Sequence, residues 1–452
     1  IITKPVGDSW NGSVSADYIL QEDGDAGDAY KAGFFAAGPL AGDKLGVKLY
    51  GGYNRRLKDG NINNSPTLTG FRDKHEEYLD GTLIWTPADG HEVSGNYGYN
   101  RLTHDNFPME RTSYALTHKG EYAFGDSQLR FSGDSIENES GNVTGQKNPN
   151  EADNKQVDGR FTAPLDSWFQ TVTVGAEWRE QSLKDPANLR GLPGTPDYNR
   201  NPRTSVDQKA LFIEDEIRFT DDLRLTLGNR YDDHENFGGH HSPRGYLVWQ
   251  VADGFTVKSG ISKAFRAPTL LQNSPKWGSV SCGSATVGCY IIGSDELKPE
   301  TATSKEAGLR YDSADLSAGI TLFETDLKNM IDITSRTANR ALAPTYSNFA
   351  GFLPDGRPIF RYQNIAKVHT QGIETSFSYR FDPAWDAAVN YTWLESRNRS
   401  NPVEIPMIYQ PKHSWNATVN WRPTEALKFY VAGNYVGRQY LQVSTNSALN
   451  IV

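Results

Sequence analysis

The sequence predicts an all-β protein, specifically a transmembrane antiparallel β-barrel. Three observations carry that prediction. Apolar and polar residues alternate with period two along most of the chain, short turns alternate with long polar loops, and tryptophans gather at one set of strand ends. Composition agrees: glycine (42), tyrosine (22) and 12% aromatics are high, while the hydrophobic fraction is only 37%. A chain apolar on one face and wet on the other has this balance. There is no apolar run of about 18 residues, which excludes a helical span. The net charge of -9 gives no reason to expect nucleic acid as a partner.

The elements follow in order. In "SWNGSVSADYIL", Trp10, Val14, Ala16, Tyr18 and Leu20 share one face, and Asn11, Ser13, Ser15 and Asp17 the other. In "DLRLTLGNRYD", Leu223, Leu225 and Leu227 oppose Arg224, Thr226, Gly228 and Arg230. Trp385, Ala387, Val389, Tyr391 and Trp393 continue the pattern in "AWDAAVNYTWLES", as do Trp415, Ala417, Val419 and Trp421 in "HSWNATVNWRP". A helix repeats its apolar residues every three or four positions, and these β-branched and aromatic segments do not. Short turns sit near Pro87, Gly125, Asp166, Asp221, Asp253, Ser313, Pro383 and Pro423. Longer polar loops are expected at 58–74, 101–112, 138–153, 184–204, 233–241, 267–298, 335–357 and 398–410. Short on one side and long on the other is the outer-membrane barrel plan, with periplasmic turns and extracellular loops. Trp10, Trp85, Trp168, Trp249, Trp385 and Trp421 all lie beside the short turns, where one aromatic girdle belongs.

The count reaches about nineteen strands, with a twentieth starting near Ser447. A barrel in lipid must close, and single-chain bacterial barrels have even strand numbers. Residues 8–452 are therefore expected to form an incomplete barrel of the roughly 22-stranded plugged class.

Several stretches resemble one family, the TonB-dependent outer-membrane receptors. "ISKAFRAPTL" (Ile261–Leu270) followed by "DELKPETATSKEAGLRY" (Asp295–Tyr311) is similar to its barrel signature. "LFIEDEIRFTDDLRLTLGNRYDDH" (Leu211–His234) resembles its central hairpin, and "YQNIAKVHTQGIETSF" (Tyr362–Phe377) a later strand. "IITKP" looks like the last residues of the family's plug, so residues 1–7 are expected to end a plug or linker. "NSPKWGSVSCGSATVGCYIIGSDELKPET" looks most like receptors for catecholate siderophores, the ferric-enterobactin type. The resemblance implies an outer-membrane location in a Gram-negative bacterium and a ferric siderophore as cargo, with no cofactor. It further implies energy from the TonB complex acting on a plug, contact with outer-membrane lipid and lipopolysaccharide, and capture by bacteriocins or phage as a further partner class.

No G-x-S-x-G, H-E-x-x-H or P-loop is present, so no catalytic residue is named. The pair His240 and His241 points to opposite faces of a strand, and Asp232, Asp233, His234 and Glu235 read as a solvated rim rather than a metal site. Ligand capture is better motivated. A ferric tris-catecholate is an aromatic anion, and binding it takes cations and aromatic rings. The candidates on the long loops are Arg55, Arg56, Arg101, Arg111, Arg190, Tyr198, Arg200, Arg203, Lys276, Trp277, Tyr290, Arg336, Arg340 and Tyr346. Lys44, Lys48, Arg160, Glu177, Arg179, Glu214, Arg224, Arg230, Lys258 and Glu306 fall on the inward face as wall residues, and Arg266 ends its strand without being a ligand contact. Alternatives remain: a passive porin, a soluble β module, or a receptor of the same family for a hydroxamate siderophore, haem or cobalamin.

The two cysteines, Cys282 and Cys289, have six residues between them. That spacing excludes a C-x-x-C redox motif, and no histidine lies near enough to complete a zinc site. The topology puts their loop outside the cell, an oxidising compartment, which favours a disulfide. Closing so short a ring removes roughly 2–3 kcal/mol of unfolded-chain entropy.

Overall fold

The computed structural model describes residues 8–60, 70–105, 107–141, 147–196, 198–283, 288–333, 336–400, 404–442 and 450–451. The expected end of a plug at residues 1–7 lies outside them, as does the strand start near Ser447.

Thirteen strands come first: β1 (Asn11–Ile19), β2 (Ala29–Ala41), β3 (Leu45–Arg56), β4 (Lys74–Trp85), β5 (His91–His104), β6 (Phe107–Tyr122), β7 (Gly125–Gly141), β8 (Lys147–Leu165), β9 (Gln170–Lys184), β10 (Arg203–Arg218), β11 (Leu223–His234), β12 (Gly238–Ala252) and β13 (Phe255–Arg266). The chain then leaves the wall through helix α1 (Leu270–Asn273) and the hairpin β14 (Gly278–Ser281) and β15 (Cys289–Ile292). It returns as β16 (Glu300–Asp312) and β17 (Leu316–Asp332), and leaves again for β18 (Phe349–Phe352) and β19 (Pro358–Arg361). The remaining strands are β20 (Gln363–Arg380), β21 (Trp385–Asn398), β22 (Ile405–Pro406), β23 (His413–Thr424), β24 (Leu427–Val436), β25 (Tyr440–Gln442) and β26 (Asn450–Ile451).

Each wall strand pairs antiparallel with the next, from β1 to β24, in one sheet of 20 strands that counts the two-residue β22. The expected alternation holds in register. Leu211, Tyr231 and His241 stand side by side on the outer face, and Phe212, Arg230 and Ser242 on the inner. The outer face carries the exposed apolar side chains, among them Leu79, Leu116, Leu129, Leu211, Ile261 and Leu322. All six girdle tryptophans are exposed at the short-turn end, and Trp385 stacks on Trp421 with centroids 5.4 Å apart. Inside, large aromatics lie over glycines of the neighbouring strand. Phe212 covers Gly175, where an added Cβ would come within 2.2 Å of the ring, and Phe323 covers Gly372 at 2.4 Å. A side chain at either glycine would force the ring out of its place.

The strands outrun the expected loops. Residues 101–104 and 107–112 belong to β5 and β6, 138–141 and 147–153 to β7 and β8, and 233–234 and 238–241 to β11 and β12. Polar side chains there suggested loops. In the structure the ladder continues past the apolar band, where both faces of the wall are wet and polar residues are tolerated. The pair β25 and β26 forms its own two-stranded sheet apart from the wall.

The tightest packing lies in the mouth. Strands β14, β15, β19 and β18 form a four-stranded sheet in that order, built from the two excursions of the chain. The largest fully buried side chains of the described residues are Phe360, Leu189, Asn348, Pro358 and Cys289, all in or against this sheet. Leu189 arrives from a third loop, the one between β9 and β10, through a bridge to Trp277.

Candidate ligand-binding site

The mouth sheet is held on two sides. Cys282 and Cys289 form a disulfide across the β14–β15 turn, with Cα atoms 5.4 Å apart, and Cys289 packs with Ala343 and Phe360. Glu300, buried at the start of β16, accepts the Ile331 N–H at 2.7 Å and pairs with Arg266 at 2.5 Å. One carboxylate thereby ties the top of β13, the foot of β16 and the end of β17, where the chain enters and leaves its excursions.

Three loops converge on this sheet and bring several of the expected residues together. The Arg190 guanidinium lies over the Tyr198 ring at 5.6 Å. Tyr290 is buried, and burial pushes its phenol up while the charge of neighbouring Arg190 pulls it down. Lys276 accepts the Gly191 N–H through its backbone at 2.8 Å, and Trp277 bridges to Leu189. Arg336 donates to Ser281 Oγ at 2.8 Å, Arg340 to the Asp355 carbonyl at 3.0 Å, and Tyr346 meets Phe360 edge-on. Arg200 is exposed on the β9–β10 loop.

Five expected residues sit elsewhere. Arg101 is on β5 and Arg111 on β6, not on a loop. The register puts Arg55, Arg101 and Arg203 on the outer face, in line with Leu79, Tyr97 and Leu211. Each has an acid partner: Arg55 pairs with Asp73 at 3.1 Å, Arg101 with Glu110 at 3.4 Å and Arg203 with Glu151 at 3.3 Å. Arg56 points inward onto Asp59 at 2.6 Å and over Phe71, and Arg111 inward near Asp134 at 3.6 Å. Spacing in the sequence placed these cations at the right height; strand parity decides which side of the wall they face.

A recess of about 570 Å³ opens on the inner wall below the mouth, lined by β8 to β13 and by residues 267–271. Its polar lining includes Arg179, Gln181, Gln208, Arg230, His234 and Arg266. Arg179 and Arg230 both reach Glu177, at 2.9 Å and 3.3 Å. Arg230 also grips Asp232 through Nε, at 2.9 Å and 3.1 Å to its two oxygens, and Gln208 donates to the same Asp232 at 2.8 Å. The acids hold the guanidinium planes fixed, and Arg230 meets Asp232 through a terminal nitrogen as well, at 2.9 Å. The sequence puts Arg179 and Arg230 among the wall residues and Arg266 at a strand end; the structure brings all three into the lining of this recess. The i, i+2 spacing of Arg179 with Gln181, and of Arg230 with Asp232 and His234, is the sequence signal that puts them on one face.

A wall of paired antiparallel strands, apolar and aromatic outside, charged inside and capped at one end by converging loops, defines an outer-membrane β-barrel with a ligand-accessible mouth. The family model "TonB dependent receptor-like, beta-barrel" matches residues 15–450, and the chain belongs to this family. It is 29% identical to the "Ferric enterobactin receptor PirA" of Pseudomonas aeruginosa, over 97% of this chain and 65% of that protein. It is 30% identical to an "Iron-regulated outer membrane virulence protein" of Vibrio cholerae, again over 97% of the chain and 65% of the relative. In fold it matches a variant of the Pseudomonas aeruginosa ferric enterobactin receptor solved in complex with enterobactin, with a TM-score of 0.87 and 24% identity over 100% of this chain and 73% of that one. The chain spans 65% of the length of these curated relatives.

Proposed function

We propose that this chain is the barrel wall of an outer-membrane receptor that binds a ferric catecholate siderophore at its extracellular mouth and imports it with energy delivered by TonB. The recess at the inner wall carries the reading. Arg179, Arg230 and Arg266 line it with the amides of Asn154, Gln181 and Gln208, below a cap rich in tyrosine and arginine, and cations with aromatic rings are the chemistry a ferric tris-catecholate anion requires. A relative named a ferric enterobactin receptor supports the catecholate class. No covalent step is needed, because loop shape and charge supply specificity. The apolar outer face belongs against membrane lipid, with lipopolysaccharide around the charged band above it, and the exposed mouth is the surface a bacteriocin or phage would meet.

Titration of the complete receptor with ferric enterobactin, a ferric hydroxamate and haem tests the assignment. Micromolar or tighter binding of the catecholate, with the other two weaker, is expected. Absence of catecholate binding overturns the substrate, and iron uptake that persists unchanged in cells lacking TonB overturns the energy source.

A further inference from the structure

On the outside of the wall, at the foot of the second excursion, Glu324 and Asp326 of β17 and His369 of β20 place one donor atom each within 4.8 Å of one another. The topology makes this cluster. Glu324 and Asp326 are two residues apart and share the outer face, and Asp326 is the register partner of His369 across the β17–β20 ladder. His369 is held: its side chain is 11% exposed and its Nδ1 lies 2.9 Å from Asp326 Oδ1. Leu322 and Ile373 lie directly below on the same face, so the cluster stands just above the apolar band and its open side faces the headgroup layer.

We propose that Glu324, Asp326 and His369 form a divalent transition-metal site on the outer rim of the barrel. The set is mixed, with two carboxylates and an imidazole, which suits zinc-like ions better than calcium or magnesium, whose sites are built of oxygen alone. Two rigid strands supply the donors, and three protein ligands leave positions for water or a lipid phosphate. Bonds of about 2.1 Å bring donors to roughly 3.4 Å from one another, a movement the half-exposed carboxylates make by side-chain rotation. Two cations stand near the carboxylates: Lys305 Nζ lies 3.8 Å from Glu324 and competes with a metal for it, and Arg399, paired with Glu404 at 3.0 Å, reaches Asp326 by its charge. A bound ion would cross-brace β17 and β20 immediately below the loop that rises between them to the mouth.

The test uses the receptor purified in detergent and stripped with chelator, titrated with zinc by calorimetry and with cobalt by absorption spectroscopy. One zinc per chain at micromolar affinity is expected, with a cobalt ligand-field band showing nitrogen in the coordination shell. His369→Gln and Glu324→Gln should each weaken binding by at least about tenfold, in the range seen when a metal site loses a supporting group. Lys305→Gln, which removes a competing cation that is not itself a ligand, should tighten it. Siderophore affinity, read in parallel, shows that each variant is folded. Absence of saturable zinc binding, or equal binding by the His369→Gln protein, overturns the site. Displacement of zinc by equimolar calcium overturns the transition-metal assignment.

Discussion

At the residue scale, the difference between a wall cation and a ligand cation is parity. The double variant Arg179→Ala/Gln181→Ala is expected to weaken ferric catecholate binding by tenfold or more, since both face the recess, while Arg101→Ala and Arg203→Ala leave it unchanged, since both face outward, away from it. Fluorescence titration of the three variants checks this, and equal losses would move the site away from the inner wall. Asp59 offers a second case. The Gly27 N–H, at 2.8 Å, is the main reason its carboxyl is held below the ordinary range, against the opposing pull of burial and with help from the Phe71 N–H and Arg56. A depressed carboxyl stabilises the fold above its unfolded value of about 3.9, and the contribution disappears as pH falls through the lower folded value. The contact between the β1–β2 and β3–β4 loops should therefore loosen in acid, and Asp59→Asn should loosen it at neutral pH. Hydrogen exchange at the Gly27 and Phe71 amides measures both.

At the scale of elements, two devices hold the mouth to the wall. Glu300→Gln keeps the size of the side chain but removes the charge that Arg266 and the Ile331 N–H share. A cost of about 1–3 kcal/mol is expected, the price of a buried hydrogen bond left poorly made, with little Coulomb loss because Arg266 is mostly exposed. Protease sensitivity of the two excursions, with the wall still resistant, is the expected readout. Replacing Cys282 and Cys289 by serine should leave the melting of the wall unchanged and lower siderophore affinity, because the bond joins only β14 and β15. Unchanged affinity would remove any binding role for the bridge. In the wall, Gly372→Ala meets the Phe323 ring and should lower the unfolding temperature of the folded, heat-modifiable band on gels, whereas Gly24→Ala, with open space around it, should not.

At the scale of the molecule, the same sheet serves two solvents. Below, its outer face is apolar and ringed by tryptophan; above, charged pairs such as Lys155 with Glu180 and Lys184 with Glu151 continue the ladder into water. Partition into the outer-membrane fraction is expected of the complete protein, and extraction without detergent would contradict it.

The sequence by itself determined the strand class, the alternation, the near-nineteen count, the tryptophan girdle and the family, because a period of two and a turn every dozen residues are local properties of the chain. The inward wall residues Arg179, Arg230 and Glu306 were also legible from parity within single strands. Only the tertiary structure decided where the strands stop, since polar side chains look alike on a loop and on a wet ladder, and so it moved Arg101 and Arg111 from loop to wall. It alone joined Leu189, Trp277, Cys289, Ala343 and Phe360 into one packed mouth, brought Arg266 to Glu300, and set His369 beside Asp326. Such pairings join residues tens of positions apart, through long excursions whose course the period-two pattern of a single strand does not specify.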